Sequence, residues 1–249
     1  MKSVQLVIYW LLLDITPMLA QESALKAEYE MVLRFSGSLA YSGTLLLNSG
    51  VSLFTFKPLF LQQEDKTEED VETGRSEIHI FDTMAASIYI NRSQNLLLDK
   101  KKSLYTKEMM IVKEPIPQQE WILEDGLKLI GKFTCKKAVT SFRGRKYTVW
   151  YCPDLPYGFG PWKLNGLPGL ILEATDMEEQ VSFYLKQIVS PFCLGLLPPD
   201  QGNCTIMRYS DYRKKLQLEE TEFQQRILSR LGREMNASVS VKRDDIERE

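Results

Sequence analysis

Apolar and polar residues alternate along most of this chain. Lys26 to Phe35 places Tyr29, Met31, Leu33 and Phe35 on one face, the period of a half-buried strand. Tyr41 to Leu47 and Val51 to Phe56 repeat the pattern across Asn48-Ser49-Gly50, a hairpin signal. Ile78 to Asp82, Ala86 to Asn91, Asn95 to Leu98, Ser103 to Thr106 and Met110 to Lys113 read as short strands. Polar turns such as Asn91-Arg-Ser-Gln94 and Asp99-Lys-Lys-Lys102 separate them. That spacing predicts an antiparallel meander curving into a sandwich or an open barrel. Glu64 to Glu77 interrupts it with an acidic run nearly free of apolar residues, which predicts a solvated, mobile loop.

Further along, Trp121 to Gly131 carries Asp125-Gly126, a turn dipeptide. Thr134 to Phe142 and Arg145 to Cys152 flank Arg143-Gly144 and predict a tight hairpin. Leu170 to Ala174 and Gln180 to Ser190 predict two more strands across the Asp176-Met-Glu-Glu179 turn. After Cys204 the period changes. Tyr212, Leu216, Phe223, Ile227, Leu231 and Met235 recur at helical spacing. Ser210 or Asp211 is placed to cap a first helix, and Thr221-Glu-Phe-Gln224 is a capping box that restarts a second. The fold class is therefore mainly β: a curved antiparallel sheet with a C-terminal helical segment whose apolar stripe lies on the sheet.

The chain ends add a compartment. Lys2, the apolar Val4 to Leu13 and Met18-Leu-Ala20 read as a secretory signal over 1–20, too short an apolar run to span a bilayer. The β domain is then expected over 21–207, the helix over 208–236 and a polar, fraying tail over 237–249. No later stretch is long and apolar enough to cross a membrane. The mature chain is expected to begin near Gln21 and to be exported, soluble or loosely membrane-associated.

Charge and composition narrow the chemistry. The net charge of −2 argues against nucleic acid as a partner. A single histidine, His79, removes most histidine metal sites and makes any histidine-based triad depend on one residue. No cofactor or metal motif is present. Four cysteines in an exported chain predict disulfides. If Arg143-Gly144 is the hairpin turn, Phe142 faces Arg145, Val139 faces Thr148 and Cys135 faces Cys152 in a non-hydrogen-bonded position, close enough to bridge. A three-residue loop with a bulge would instead put the two sulfurs on opposite faces. Cys193 and Cys204 flank a short Pro/Gly-rich loop. The favoured pairing is Cys135–Cys152 with Cys193–Cys204.

The most unusual stretch is Gly158 to Glu173, with four glycines and two prolines running into an apolar strand. One reading is a tight double turn that tucks Leu167 and Leu170 into a core with Trp162 over the glycines. The other is a nest of backbone N–H groups, or an aromatic-walled groove, that receives a partner. It is no phosphate loop, because it lacks the Gly-Lys-Ser/Thr ending and leads into a strand.

Gly166-Leu-Pro-Gly-Leu-Ile171 resembles the hexapeptide that names the GLPGLI family of envelope proteins of Bacteroidota. Trp121-Ile-Leu-Glu-Asp125, Gly131-Lys-Phe-Thr-Cys-Lys-Lys-Ala138, Phe142-Arg-Gly-Arg-Lys-Tyr147, Trp150 and Gly160-Pro161 are similar to its central block, in order, over about Trp121 to Ser190. That resemblance implies an envelope location and no assigned activity. A remoter likeness, to the accessory N-terminal domain of a type II peptide-N-glycosidase, attaches to no particular residue and carries no chemistry over. The expectation is a non-catalytic binding or assembly module that meets an envelope protein or a small ligand on the concave side of the sheet. Trp162, Leu167, Pro168, Gly166, Gly169 and Trp150 are the candidate contacts. The alternatives are a glycosidase-type hydrolase, or an accessory domain of one, using Asp154, Glu173 or Asp176, and a purely structural scaffold.

Overall fold

The computed structural model describes residues 24–35, 37–59, 66–70, 75–81, 85–103, 105–192, 196–230, 238–244 and 246–248. The predicted export signal and Cys193 lie outside them. The strands in chain order are β1 (Ala24–Arg34), β2 (Ser38–Leu47), β3 (Val51–Pro58), β4 (Lys66–Asp70), β5 (Arg75–Phe81), β6 (Ala86–Asn91), β7 (Leu96–Lys102) and β8 (Met109–Glu114). They continue with β9 (Ile122–Ile130), β10 (Phe133–Phe142), β11 (Arg145–Cys152), β12 (Leu170–Asp176), β13 (Val181–Phe192) and β14 (Thr205–Arg208). One helix, α1 (Tyr209–Arg230), precedes β15 (Ser238–Asp244). Among the described residues twelve strands form one open sheet, ordered β14-β8-β7-β6-β3-β2-β1-β13-β12-β11-β10-β9, and β15-β5-β4 form a second. The protein is thus mainly β, with one curved, unclosed sheet and a C-terminal helix.

Turn chemistry sets the register. Asn48 Oδ1 accepts from the backbone of Gly50 and Val51 at 3.0 and 2.8 Å and closes the β2–β3 hairpin. Arg143 and Gly144 both take positive φ, 50° and 72°, the twist a two-residue hairpin needs. The β10–β11 ladder then runs from Phe142↔Arg145 through Val139↔Thr148 to Lys136↔Tyr151. The next pair along that register is Cys135 and Cys152. The core follows from the alternation. Leu25, Ala27, Tyr29, Met31 and Leu33 of β1 are buried, as are Tyr41, Leu45 and Phe54 on its neighbours.

Several expectations are corrected, the first being that Asp99-Lys-Lys-Lys102, expected as a turn, lies inside β7, where it pairs with β6 and β8. Ser103 to Thr106 is a turn instead of a strand, because Ser103 Oγ accepts from the backbone of Tyr105 and Thr106. Asp125-Gly126 is a bulge inside the continuous strand β9, where the register jumps from Leu127↔Lys136 to Glu124↔Lys137. The acidic stretch forms β4 and β5, whose backbone groups are satisfied by pairing on each other and on β15 despite the polar side chains. The tail expected to fray over 237–249 forms β15 and then buries Ile246 and Glu247.

The helix is single. Thr221 Oγ1 donates to the carbonyl of Gln217 one turn back and caps nothing. Tyr212 and Leu216 pack on Met110 and Val112 of β8. Buried Glu219 accepts from Ser103 at 2.7 Å. Leu218 and Leu228 face away from the sheet and are exposed. No helix among the described residues is long and apolar enough to cross a membrane.

Candidate functional site

The loop from Gly158 to Gly169 fills the concave side of the sheet. Phe159 and Asn165 bridge, Gly166 N donates to Gly158 O at 2.9 Å, and Ile171 N donates to Phe159 O at 3.0 Å. The Trp121 indole donates to Asn165 O at 2.9 Å and the Gln119 amide to Lys163 O at 2.8 Å. Gly169 lies so close to β11 that an added Cβ would stand 2.3 Å from the Cys152 carbonyl oxygen. Tyr29 donates to Ile171 O at 2.7 Å, and burial pushes its phenol far above the ordinary range.

The six expected ligand contacts fall in different places. Trp162 is 4 % exposed and packs edge-to-face on Phe142 at 5.4 Å and tilted against Tyr147 at 6.2 Å. Leu167 is equally buried, with Phe159 and Leu164 beside it. A partner cannot reach either side chain while the loop is in place, since apolar burial is what fixes the loop there. Gly169 is buried, Gly166 and Pro168 are exposed at the loop's outer turn, and Trp150 is half-buried on another face, beside Lys128. The six candidates therefore form no single surface.

The candidate carboxylates do not form an acid pair. Asp176 is buried, bonded to Arg145 at 2.7 Å and accepting from Val181 N at 2.9 Å. Glu173 lies three residues away on the opposite face of β12, paired with Lys128. Asp154 is exposed on the turn after β11. Of His79 only its place in β5 is described.

What the loop does carry inward is Lys163, which is completely buried. Its ammonium meets Asp99 of β7 at 2.8 Å, Glu114 of β8 at 3.4 Å, and Glu247. Lys101 pairs with Asp99 at 2.9 Å, and Arg143 pairs with Glu114 and lies 3.8 Å over the Tyr209 ring. Burial alone would lower the lysine's pKa, but Asp99, Glu247 and Glu114 together hold it above the ordinary lysine value. Burial would raise the Glu247 carboxyl, yet Lys163, then Lys101 and Arg143, bring it down to about 2. The sequence reading missed this cluster. Its one local signal is a lysine between Trp162 and Leu164 in an otherwise apolar loop.

Cys135, Cys152 and Cys204 are free thiols in the structure. Burial first, and then the adjacent Cys152 thiol, pushes Cys135 up to about 12. Concavities outside the core include one of about 530 Å³ lined by Ile130, Lys132, Asp154, Leu155, Tyr157 and Lys186. A groove of about 590 Å³ on the other face of the sheet is lined by Thr44, Thr55, Lys57, Ser87 and Lys100. A cleft of about 630 Å³ is lined by Asn95, Leu96, Glu114, Arg208 and Tyr209.

At the sheet's edge β9 is exposed along almost its whole length. Leu127 and Leu129 lie opposite exposed Lys136 and Thr134 and share one face, and Leu123 lies opposite Ala138 beyond the bulge; the three leucines are 72, 69 and 61 % exposed.

No protein-family model matches the chain, and no curated protein matches it. Among solved structures it is similar to PNGF-II in two crystal forms, with TM-scores of 0.52 and 0.50 and identities of 18 % and 16 %. These matches cover 79 % and 80 % of this chain but only 33 % and 34 % of PNGF-II. A putative outer membrane lipoprotein-sorting protein domain from Vibrio parahaemolyticus matches at a TM-score of 0.30 and 9 % identity, over 78 % of this chain and 91 % of that one. The likeness to PNGF-II is one of fold, and this chain spans about a third of that protein's length.

Proposed function

We propose that this chain is an exported, non-catalytic assembly module of the cell envelope, of the GLPGLI family, and that it assembles by adding a strand to β9. The carrying observation is three exposed leucines, Leu123, Leu127 and Leu129, on a strand whose outer side has no partner among the described residues. Such an edge offers a line of main-chain donors and acceptors beside an apolar surface, and soluble proteins normally blunt it. The loop already fills the concave side, and Asp176 and Glu173 are each engaged in an ion pair.

The occupant we propose is a second copy. An antiparallel copy of β9 related by a two-fold axis at Gly126 sets Leu123 opposite Leu129 and Glu124 opposite Lys128. The outer apolar and charged positions are then complementary, and Asp125 falls opposite Leu127 next to the axis. Sedimentation of the wild type against Leu127→Lys tests it. The wild type is expected to dimerise and the variant to stay monomeric, with unchanged circular dichroism because Leu127 is 72 % exposed. A wild type that is monomeric at its highest soluble concentration overturns the reading. The fold likeness to PNGF-II favours a second reading, an accessory domain that serves a catalytic partner.

A further inference from the structure

Residues 246–248 enter the main body as a tripeptide held at every position. Ile246 O accepts from Arg145 Nε at 2.8 Å, and Arg248 N donates to Arg143 O at 3.2 Å. The Ile246 side chain lies in the main core. Glu247 is 3 % exposed and accepts from Lys163 and from Tyr209 Oη. Arg248 bonds Glu178, and Gln180 at 2.6 Å. The receiving groove is made by the β10–β11 turn, the Lys163 loop, the start of α1 and the turn after β12.

The electrostatics of that groove depend on the tripeptide. Without it Lys163, which is fully buried, and Arg143 would keep Asp99 and Glu114 but lose the Glu247 carboxylate that stabilises both cations. Removing one partner from a buried ion cluster is costly, so the arrangement is built around one incoming carboxylate. Main-chain bonds from 246 and 248, an apolar pocket for one side chain and a cationic pocket for the next make up a mode of recognising a peptide. The 630 Å³ cleft opens beside Glu114 and Tyr209, two of the groups that surround the site.

We propose that this groove is a peptide-binding site for an apolar–acidic–basic segment of a partner protein, occupied in cis by Ile246-Glu247-Arg248, which such a partner must displace. The test uses the full chain carrying Glu247→Lys, which sets an ammonium against Lys163 and expels the segment. The probe is a fluorescent, acetylated peptide with the sequence of residues 243–249, followed by anisotropy. The variant is expected to bind it and the wild type to bind at least about ten-fold more weakly, because its groove is filled. A probe with glutamine in place of the central glutamate is expected to bind the variant about ten-fold or more weakly than the original. A second chain, Ile246→Ser with Arg248→Ala, frees the groove without adding a charge and should behave like the first. Folded variants that do not bind the probe, or that bind both peptides equally, overturn the proposal. So does loss of fold in both variants, which would make the tripeptide a strut.

Discussion

Replacing Glu247 by glutamine keeps the shape of the buried side chain and removes only its charge. The carboxyl sits at about 2, against an ordinary 4.5, because Lys163, Lys101 and Arg143 outweigh the effect of burial. At about 1.36 kcal/mol per pKa unit, that depression is worth roughly 3 kcal/mol of folding stability at neutral pH. The sign follows from the depressed native value: the contribution is fully present above the unfolded pKa and is lost as pH falls toward about 2. Asp99 is held low in the same cluster, against burial, by Lys101 and Lys163, so the wild type should weaken steeply over this window. Urea unfolding followed by tryptophan fluorescence, from neutral pH down to about 2, measures it. Glu247→Gln should be less stable by roughly 3 kcal/mol at neutral pH, and the gap should close as the wild-type carboxylate protonates. A gap that stays constant with pH would mean that Glu247 acts by shape alone, and the charge argument for the Lys163 site would fall with it.

Trp162→Ala should cost about 3–5 kcal/mol, read from chemical denaturation, because it empties a buried site packed on Phe142 and Tyr147. A cost near that of a surface substitution would return Trp162 to the list of ligand contacts. Gly169→Ala forces a methyl group onto the Cys152 carbonyl and should cost about 1–3 kcal/mol or more, seen as a lowered Tm. In protein isolated from an oxidising compartment, non-reduced peptide mapping should find Cys135 joined to Cys152, since the ladder sets them opposite one another. In the reduced, folded protein a thiol-alkylating reagent should modify half-buried Cys204 well before Cys135, whose thiol is pushed up to about 12.

The hairpin register was legible because it is local: a two-residue turn that tolerates positive φ fixes every pair behind it, Val139↔Thr148 included. Most strands of the main sheet were legible from alternation, since one face is buried, but β14 was not, and Asp99 to Lys102, read as a turn, belongs to β7. Ser103 misled because its hydroxyl gives the backbone an alternative to the ladder, which periodicity does not register. Asp125-Gly126 misled because a turn dipeptide and a bulge share the same residues; only pairing with β10 separates them. The tail misled because its anchors are distant in sequence. Ile246 and Glu247 stand in a polar run, and only the fold brings Arg145 and Lys163 to meet them.

The same limit explains the central loop. Glycines, prolines and a tryptophan in one stretch describe both a ligand groove and a plug, and the choice depends on what lies opposite. A strongly curved sheet leaves a concave volume that its own strands cannot close, and Phe159, Trp162, Leu164 and Leu167 fill it. Once those side chains are spent on the interior, the hexapeptide is accounted for by packing: Gly169 allows contact with β11, and Leu167, Leu170 and Ile171 complete the core. Recognition must then use what the plug leaves outside or holds at its rim. Two places qualify on physical grounds. One is β9, whose leucines have no cover. The other is the groove in which Lys163 takes the Glu247 carboxylate beside those of Asp99 and Glu114, because removing one partner from a buried ion cluster is costly and an acidic segment seated there restores it.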